Sequence, residues 1–254
     1  MPTRRVLVVK STNTQEREED MPKTSTKAVV LLSGGLDSAV CLAMALEEND
    51  SVIAVNASYG QKHIKERQSA IAICNYYFDK GRDISLKILN LPDIFKGAGS
   101  TLTDPGLEQP HLTYSELAES QGPSPTVVPF RNANLLSVAT TIAVVNKAQL
   151  VYAGMHAEDA RNWAYPDCTP EFLGSFASAM YIGTYHQVRL MFPLIWMMKC
   201  DVVAEGEIRD VPFYLTWSCY AGGEDHCGKC PTCIERLKAF ELNGMEDPVA
   251  YALQ

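Results

Sequence analysis

The chain contains 254 residues, of which 46% are hydrophobic and 20% are charged, a balance typical of a globular protein and not of a disordered one. Its formal net charge of −8 argues against nucleic acid as a partner, because a protein that binds nucleic acid needs a basic surface. No apolar run approaches the roughly 20 residues that cross a bilayer. We therefore expect a cytoplasmic protein that acts on a small molecule or on another protein.

The sequence divides into three parts. Residues 1–26 are an N-terminal extension, in which residues 6–9 can form an extra strand and the remainder is typical of a charged linker. Residues 27–212 are predicted to form a nucleotide-binding α/β domain, and residues 213–254 a metal-binding segment packed on it.

Strands and helices alternate from residue 27 onward. Apolar runs predict strands at residues 28–32, 51–56, 85–89, 149–154 and 188–192. Helices are predicted up to about residue 49 and at residues 64–78, 132–147, 170–181, 195–209 and 231–240. The buried face of the second helix is predicted to contain Ile64, Ala70, Ile71 and Ile73. This alternation predicts a doubly wound, mostly parallel five-stranded sheet in an α/β fold.

Residues 91–129 interrupt the alternation with prolines and glycines, and only a short helix near residues 114–119 is predicted there. Ligand crevices of doubly wound sheets lie at the carboxyl ends of the strands. We therefore interpret this long loop as a lid over a nucleotide site, with a disordered loop as the alternative.

A phosphate loop follows the first strand directly. It consists of Leu32, Ser33, Gly34, Gly35, Leu36, Asp37 and Ser38. The glycines permit a tight turn, and the N-terminus of the next helix, capped by Asp37 or Ser38, favours a bound phosphate. The segment lacks both the ending of a Walker motif and the glycine spacing of a dinucleotide fold. An ordinary turn rich in small residues is the alternative.

The C-terminal part of the chain concentrates half of the eight cysteines. They are Cys219, Cys227, Cys230 and Cys233. Two-residue spacers let neighbouring thiolates converge on one ion, so we predict a closed zinc site, although an iron–sulfur cluster can use the same ligands. His226 is not expected to be a ligand, and the other cysteines are expected to be buried structural residues.

Several motifs together are similar to one family. Ser-Gly-Gly-x-Asp-Ser at residues 33–38 resembles the PP-loop of the ATP pyrophosphatase superfamily. The segments at residues 59–63, 125–132, 156–159 and 165–168 and the cysteine motif at residues 216–236 resemble those of 7-cyano-7-deazaguanine synthases, the QueC family.

The resemblance implies an ATP-dependent ligase. Members of this family adenylate the carboxylate of 7-carboxy-7-deazaguanine, take up ammonia to form an amide, and dehydrate the amide to the nitrile with further ATP. The resemblance therefore implies ATP, Mg²⁺ and a structural Zn²⁺ as cofactors and, by analogy, a homodimer.

The motifs also assign roles to individual residues. Asp37 and Ser38 are expected beside pyrophosphate and Mg²⁺, and Gly154 completes the nucleotide site. Arg131 and Lys199 are the cations expected to face phosphate or the substrate carboxylate, with a surface ion pair as the alternative for each. The substrate pocket is expected to contain Tyr59, Gln61, His63, Asn132, His156, Asp159, Tyr165 and Asp167.

Some of these residues have a second interpretation. Asn132 can cap its helix, and Tyr165 or Trp163 can either stack on the base or belong to the core. Cys168 is expected to be structural, since no activating base lies beside it in the sequence.

Two departures from the family pattern leave the acceptor open. Thr169 stands where many members carry arginine, and residues 161–164 are inserted before Tyr165. An enzyme that joins the activated deazaguanine to an amine of another molecule, such as a protein N-terminus, is therefore the alternative. A tRNA-modifying PP-loop enzyme and a non-catalytic scaffold are further alternatives.

Overall fold

A computed structural model describes residues 25–61, 64–91, 94–104, 106–108 and 124–252. In these residues the protein forms a five-stranded sheet with the strand order β3-β2-β1-β4-β5 and parallel pairing throughout. The strands are β1 (Lys27–Leu31), β2 (Ser51–Ser58), β3 (Ile84–Asn90), β4 (Leu150–Tyr152) and β5 (Arg189–Met191). The predicted doubly wound parallel sheet is confirmed.

Helices cover both faces of the sheet, and alternate residues of the central strand show why. Ala28 and Val30 pack in one core and Val29 packs in the other, so β1 is apolar on both sides. The helices are α1 (Leu36–Glu48), α2 (Lys65–Asp79), α3 (Arg131–Val145), α4 (Ala157–Ala160), α5 (Pro170–Gly183), α6 (Lys199–Ile208) and α7 (Pro231–Leu242). The first core contains residues of α1, α2, α6 and α7, and the second contains residues of α3 and α5.

The winding of the chain reverses beside the central strand. From β1 the chain adds β2 and β3 on one side and then β4 and β5 on the other. The carboxyl ends of β1 and β4 therefore border a topological switch point, which is where sheets of this kind bind ligands.

Three predicted details of the helix starts are wrong. Helix α1 begins at Leu36 with Gly35 as its N-cap, so Asp37 and Ser38 lie inside the first turn and do not cap it. Asn132 likewise lies inside α3, which starts one residue earlier. Helix α6 begins at Lys199 and not at residue 195, because Asp201 accepts a hydrogen bond from the Met198 N–H at 2.8 Å and fixes the start there.

Two of the four residues predicted for the buried face of α2 are buried in the structure. Ala70 and Ile73 are buried, but Ile64 is 63% exposed and Ile71 37% exposed. Ile64 is the N-cap residue of α2 and so lies outside the helix. The predicted strand at residues 6–9 and the predicted helix at residues 114–119 lie outside the described residues.

The described parts of the loop at residues 91–129 pack beside the end of β2. Phe95 meets Tyr59 edge to face with ring centroids 5.8 Å apart, and Val128 completes this small cluster. The Thr101 N–H donates to the Pro125 carbonyl at 2.8 Å, which joins the two described ends of the loop. A lid function for the loop stays a prediction.

The C-terminal segment shares the first core. Phe213, Ala239 and Phe240 are buried together with residues of α1 and α6. The division into domains at residues 26 and 212 stays a prediction. Within the described ranges, none of the helices has both the length and the apolar character that a membrane crossing needs.

Candidate functional site

The phosphate loop, residues 32–38, owes its shape to Gly34. Its φ angle is 102°, which side chains rarely allow, and a Cβ atom placed there would lie 2.1 Å from the backbone oxygen of Glu66. The Ser33 and Ser38 hydroxyls lie 3.0 Å apart, and the Gly35 N–H donates to Ser33 Oγ at 3.1 Å. The loop is thus a compact turn at the N-terminus of α1, where an anion is favoured.

Asn56, which the sequence analysis missed, supports this loop from the neighbouring strand. Its buried side-chain amide donates to the carbonyls of Leu32 at 2.9 Å and Ser33 at 3.1 Å. The signal in the sequence was an asparagine inside an otherwise apolar strand, since a buried polar group needs a partner.

A cavity of about 180 Å³ opens beside the phosphate loop at the switch point. Its lining brings together residues from four separate predicted motifs. They include Ser33, Asp37, Ser38, Arg131, Asn132, Gly154 and Asp159. A Cβ atom at Gly154 would approach the Asp37 carbonyl oxygen to 3.0 Å, so glycine lets β4 end close to α1.

The charged centre of the site is an ion pair between Asp37 and Lys199. Lys199 Nζ donates to both carboxylate oxygens, at 2.6 and 2.5 Å. Burial alone would raise the pKa of Asp37, but the charges of Lys199 and His156 and the hydrogen bonds to the carboxylate together outweigh it, so the pKa of Asp37 is lowered. Lys199, one of the two predicted cations, therefore contacts the phosphate loop by pairing with Asp37.

His156 and Asp159 lie beside the ion pair of Asp37 and Lys199. His156 Nε2 lies 3.4 Å from Lys199 Nζ, 3.8 Å from Asp37 Oδ1 and 3.6 Å from Asp159 Oδ2. The backbone N–H of Lys199 donates to Glu158 Oε2 at 3.2 Å, which fixes the start of α6. Glu158 was not among the predicted site residues, although it lies in the same short motif.

Arg131 lies across the cavity at the N-terminus of α3. The preceding residue, Phe130, has a φ angle of 54°, an unusual backbone conformation that turns the chain into the helix. The Arg131 guanidinium donates to the Tyr59 hydroxyl at 3.1 Å. Burial opposes its charge, yet the neighbouring Tyr59 and Cys168 raise the pKa of Arg131, so it stays cationic.

Asp167, Asn132 and Cys168 form a second cluster. The Asp167 carboxylate accepts the Asn132 backbone N–H at 2.9 Å and its side-chain amide at 3.1 Å. The same amide lies 3.1 Å from Cys168 Sγ. Burial and the carboxylates of Asp159 and Asp167 raise the pKa of Cys168 well above its usual value, which keeps the thiol protonated and unreactive.

Two other predicted pocket residues hold loops together. Gln61 accepts the Tyr59 N–H at 2.8 Å and donates to the Ala57 carbonyl at 3.0 Å, which closes the turn after β2. The Tyr165 hydroxyl lies 2.6 Å from Thr126 Oγ1. Trp163 is 66% exposed. His63 lies outside the described residues.

The four predicted metal ligands converge. The Sγ atoms of Cys219, Cys227, Cys230 and Cys233 all lie within 4.8 Å of one another. A tetrahedral zinc site with zinc–sulfur bonds of about 2.3 Å separates its sulfurs by about 3.8 Å, and Cys227 Sγ lies 4.0 Å from Cys233 Sγ. Backbone N–H groups of Ala221 and Cys230 point at the sulfurs, at 3.3 Å each, as they do around thiolates. The donor set therefore fits a metal ion.

His226 has a different partner. Its buried Nε2 accepts the Ser218 N–H at 3.2 Å, and its ring lies 4.3 Å from the Trp217 ring. Burial and the charge of Arg236 lower the pKa of His226 to about 4. The imidazole is therefore a neutral structural group in this segment.

Together these features define a class of protein. A doubly wound parallel sheet with a phosphate loop at its switch point, Arg131 across the cavity, Lys199 paired with Asp37 of the loop and a four-cysteine cluster is typical of an α/β nucleotide-binding protein whose cysteines fit a metal ion. The family model described as "Queuosine biosynthesis protein QueC" matches residues 27–244. The chain belongs to this family, so the predicted resemblance is confirmed.

Curated relatives match along nearly their whole length. The chain is 39% identical over 229 residues to the 7-cyano-7-deazaguanine synthase of Methanoculleus marisnigri, covering 89% of this chain and 98% of the relative. It is also 39% identical over 236 residues to the 7-cyano-7-deazaguanine synthase of Thermoplasma volcanium, covering 91% and 92%.

Solved structures are similar at a lower level. A 4-thiouridine synthetase in complex with RNA and bound ATP has a TM-score of 0.48 and 20% identity, covering 84% of this chain and 50% of that one. The NMN synthetase of Francisella tularensis has a TM-score of 0.47 and 15% identity, covering 88% and 79%.

Proposed function

We propose that this protein is a 7-cyano-7-deazaguanine synthase. It uses ATP to convert the carboxylate of 7-carboxy-7-deazaguanine into an acyl adenylate, releasing pyrophosphate. Ammonia then displaces AMP to give the amide, and a second ATP turns the amide oxygen into a leaving group, so that its departure as AMP gives the nitrile. The observation that carries this proposal is that the phosphate loop and Arg131 line one crevice, with Lys199 paired to Asp37 of the loop, in a chain of the QueC family.

The phosphate loop and the N-terminus of α1 are proposed to hold the triphosphate. Lys199 and Arg131 would balance the negative charge that grows on the leaving pyrophosphate. Asp37 is the residue proposed to hold Mg²⁺, and a carboxylate with a lowered pKa suits that ion because it is charged at neutral pH. The ion would supply a further positive charge beside the phosphates.

Asp159 is the predicted pocket residue proposed to meet the deazaguanine directly, and the buried His156 is proposed to support it from 3.6 Å away. Both lie at the carboxyl end of β4, and Asp159 lines the cavity. A carboxylate suits the N–H edge of a guanine-like base. Asp167, Gln61 and Tyr165 are proposed to support this pocket through their hydrogen bonds to neighbouring loops.

Zinc is the metal proposed for the four cysteines, since a closed set of four thiolates is typical of structural zinc. We also propose that the protein acts in the cytoplasm on a small-molecule substrate, with ammonia as the acceptor.

A homodimer remains part of the proposal, and the outer surface of α3 and α5 supports it. Residues 132–146 and 172–185 carry no charged side chain, and Val145 and Ile182 are 73% and 69% exposed. Two copies that each carry a charge of −8 repel one another least where they meet through an uncharged face. Val145→Glu should give a monomer in sedimentation velocity, whereas Leu242→Glu, at an exposed position of α7, should not.

The catalytic proposal is tested by mass spectrometry of a reaction that contains the protein, ATP, Mg²⁺, ammonium and 7-carboxy-7-deazaguanine. Appearance of the nitrile together with AMP supports the synthase. AMP without the nitrile would show that another amine is the acceptor. No consumption of ATP would overturn the proposed function.

A further inference from the structure

A short stretch without regular secondary structure runs from the core to the cysteine cluster and passes the phosphate loop on its way. We call residues 216–219 the strap. The backbone N–H of Trp217 donates to the Gly34 carbonyl at 2.9 Å. A Cβ atom at Gly35 would lie 3.5 Å from the Trp217 carbonyl oxygen, so the strap contacts both glycines of the loop.

Gly34 is held between two neighbours. On one side is the Glu66 carbonyl at the start of α2, and on the other is the Trp217 N–H. With its φ angle of 102°, Gly34 has more backbone freedom than any other residue would have in its place. The loop therefore depends on outside contacts to keep one shape, and the strap supplies one of them.

The cysteine segment fixes the strap. Thr232 Oγ1 donates to the Ser218 carbonyl at 2.7 Å, and the Ser218 N–H donates to His226 Nε2 at 3.2 Å. The Trp217 indole N–H donates to the carbonyl of Cys219, the first cysteine of the cluster, at 2.8 Å. The peptide that contacts Gly34 is thus within two residues of a metal ligand.

Arg236 fixes the other end of the strap. It is fully buried and paired with the Asp247 carboxylate at 2.7 and 2.9 Å. The same guanidinium donates to Thr216 Oγ1 at 2.6 Å and to Ser218 Oγ at 3.2 Å. A buried charge that satisfies several partners at once imposes a single geometry on them.

We propose that the cysteine segment positions the phosphate loop through this strap, so that metal binding and nucleotide binding strengthen one another. Thr216 and Arg236 are positioning residues that act through the Trp217 N–H on Gly34. The inference rests on the proposed function only in that the loop binds ATP. By linkage, a metal that favours the nucleotide-binding shape of the loop must itself be held more firmly when the nucleotide is bound.

The first experiment measures the dissociation constant of zinc in the full-length protein by equilibrium competition with a coloured chelator. A non-hydrolysable ATP analogue with Mg²⁺ is added or omitted, and its binding is measured in the same samples by calorimetry. We expect saturating analogue to lower the dissociation constant of zinc by about fivefold or more. An unchanged zinc dissociation constant with the analogue bound would overturn the inference, and failure of the analogue to bind would overturn the proposed function as well.

The second experiment uses a matched pair of threonines. Thr216 and Thr140 are both buried, and each hydroxyl donates to a backbone carbonyl, at 2.7 and 2.8 Å. Thr216→Val removes the contact with Arg236, and we expect the dissociation constant of the analogue and the KM for ATP to rise about fivefold with little change in kcat. Thr140→Val should change neither value.

Thr216→Ser keeps the hydroxyl and should restore wild-type values. Wild-type nucleotide affinity in Thr216→Val would overturn the role of Thr216 and Arg236. If Thr216→Val fails to fold, the zinc dissociation constants of the wild-type protein and the Thr216→Ser variant, with and without the analogue, still test the coupling.

Discussion

The phosphate loop and the cysteine segment are both irregular stretches, but different forces hold them. The loop is seven residues of backbone geometry, in which Gly34 fits between the Glu66 carbonyl and the Trp217 N–H. The cysteine segment is held by side chains, namely four convergent thiols and the buried pair of Arg236 and Asp247. Adding one Cβ atom at Gly34 should disrupt the phosphate loop, whereas losing one of the four thiols should disrupt the cysteine segment.

This difference separates two ways of building a site. A loop that binds phosphate through its own N–H groups must keep one backbone shape, so steric fit decides which substitutions it accepts. A segment without a sizeable core of its own gains its order from a bound ion. The chemistry of its ligands therefore decides which substitutions it accepts. The predictions below test that contrast.

The largest effect is expected from loss of a metal ligand. Cys230→Ser should reduce bound zinc from one ion per chain to a small fraction, because a hydroxyl replaces a thiolate in a closed four-ligand site. The free energy of unfolding should fall by about 5 kcal/mol or more. Elemental analysis and urea denaturation measure the two changes.

Cys200→Ser is the control, because Cys200 is a half-buried cysteine apart from the cluster. Equal zinc content in the two variants would contradict the four-cysteine site.

Gly34→Ala should have the next largest effect. The new Cβ would lie 2.1 Å from the Glu66 oxygen in a backbone conformation that already disfavours alanine. We expect a loss of about 3 kcal/mol in the free energy of unfolding and loss of nucleotide binding, measured by urea denaturation and calorimetry.

Gly81→Ala separates backbone strain from the clash. Gly81 has a φ angle of 78°, and no atom lies within 4 Å of the position that an added methyl group would occupy, so about 1 kcal/mol is expected there. If both alanines cost the same, crowding by Glu66 is not what fixes the loop.

Lys199→Met should lower kcat/KM for ATP about a hundredfold, because it removes a positive charge that is proposed to balance the charge on the leaving pyrophosphate. Steady-state release of pyrophosphate measures the effect. Lys238→Met, at an exposed position of α7, should leave the rate unchanged. A similar loss in both variants would indicate that overall charge, and not the position of Lys199, matters.

The smallest effect is a pH dependence of stability that comes from Asp37. Its pKa is lower in the folded protein than the usual 3.8, so its ion pair stabilises the fold above that pH and is lost as the pH falls through the folded-state pKa. Asp37→Asn should therefore cost about 1–2 kcal/mol at pH 6 and progressively less below about pH 4.

Urea denaturation of both proteins at several pH values checks this prediction. A penalty for Asp37→Asn that stays constant down to pH 3 would show that the carboxylate does not gain its stability from ionisation.

Much of the fold and part of the site could be predicted because they depend on local patterns. The five strands, the phosphate loop and the four cysteines each have a short signature of apolar runs, small residues or ligand spacing. The helix starts were harder to predict. Helix α6 begins at Lys199 because of a hydrogen bond from the Met198 N–H to Asp201, and the apolar residues before it made the helix look longer.

The predicted pocket shows the limit of such patterns. Asp167 and Gln61 are polar residues in motifs, and the sequence could not show that their oxygens face the backbone N–H groups of Asn132 and Tyr59. Lys199 was predicted as a cation, but its pairing with Asp37 joins residues 162 positions apart.

By itself, the sequence determined the parallel sheet, the glycine-rich loop after the first strand, the cysteine cluster and the family, because periodicity, glycine placement and cysteine spacing act over a few residues. Only the tertiary structure decided which charges meet and that the strap from the cysteine segment reaches Gly34. Those contacts join distant parts of the chain, and their geometry exists only once the sheet has brought the carboxyl ends of its strands together.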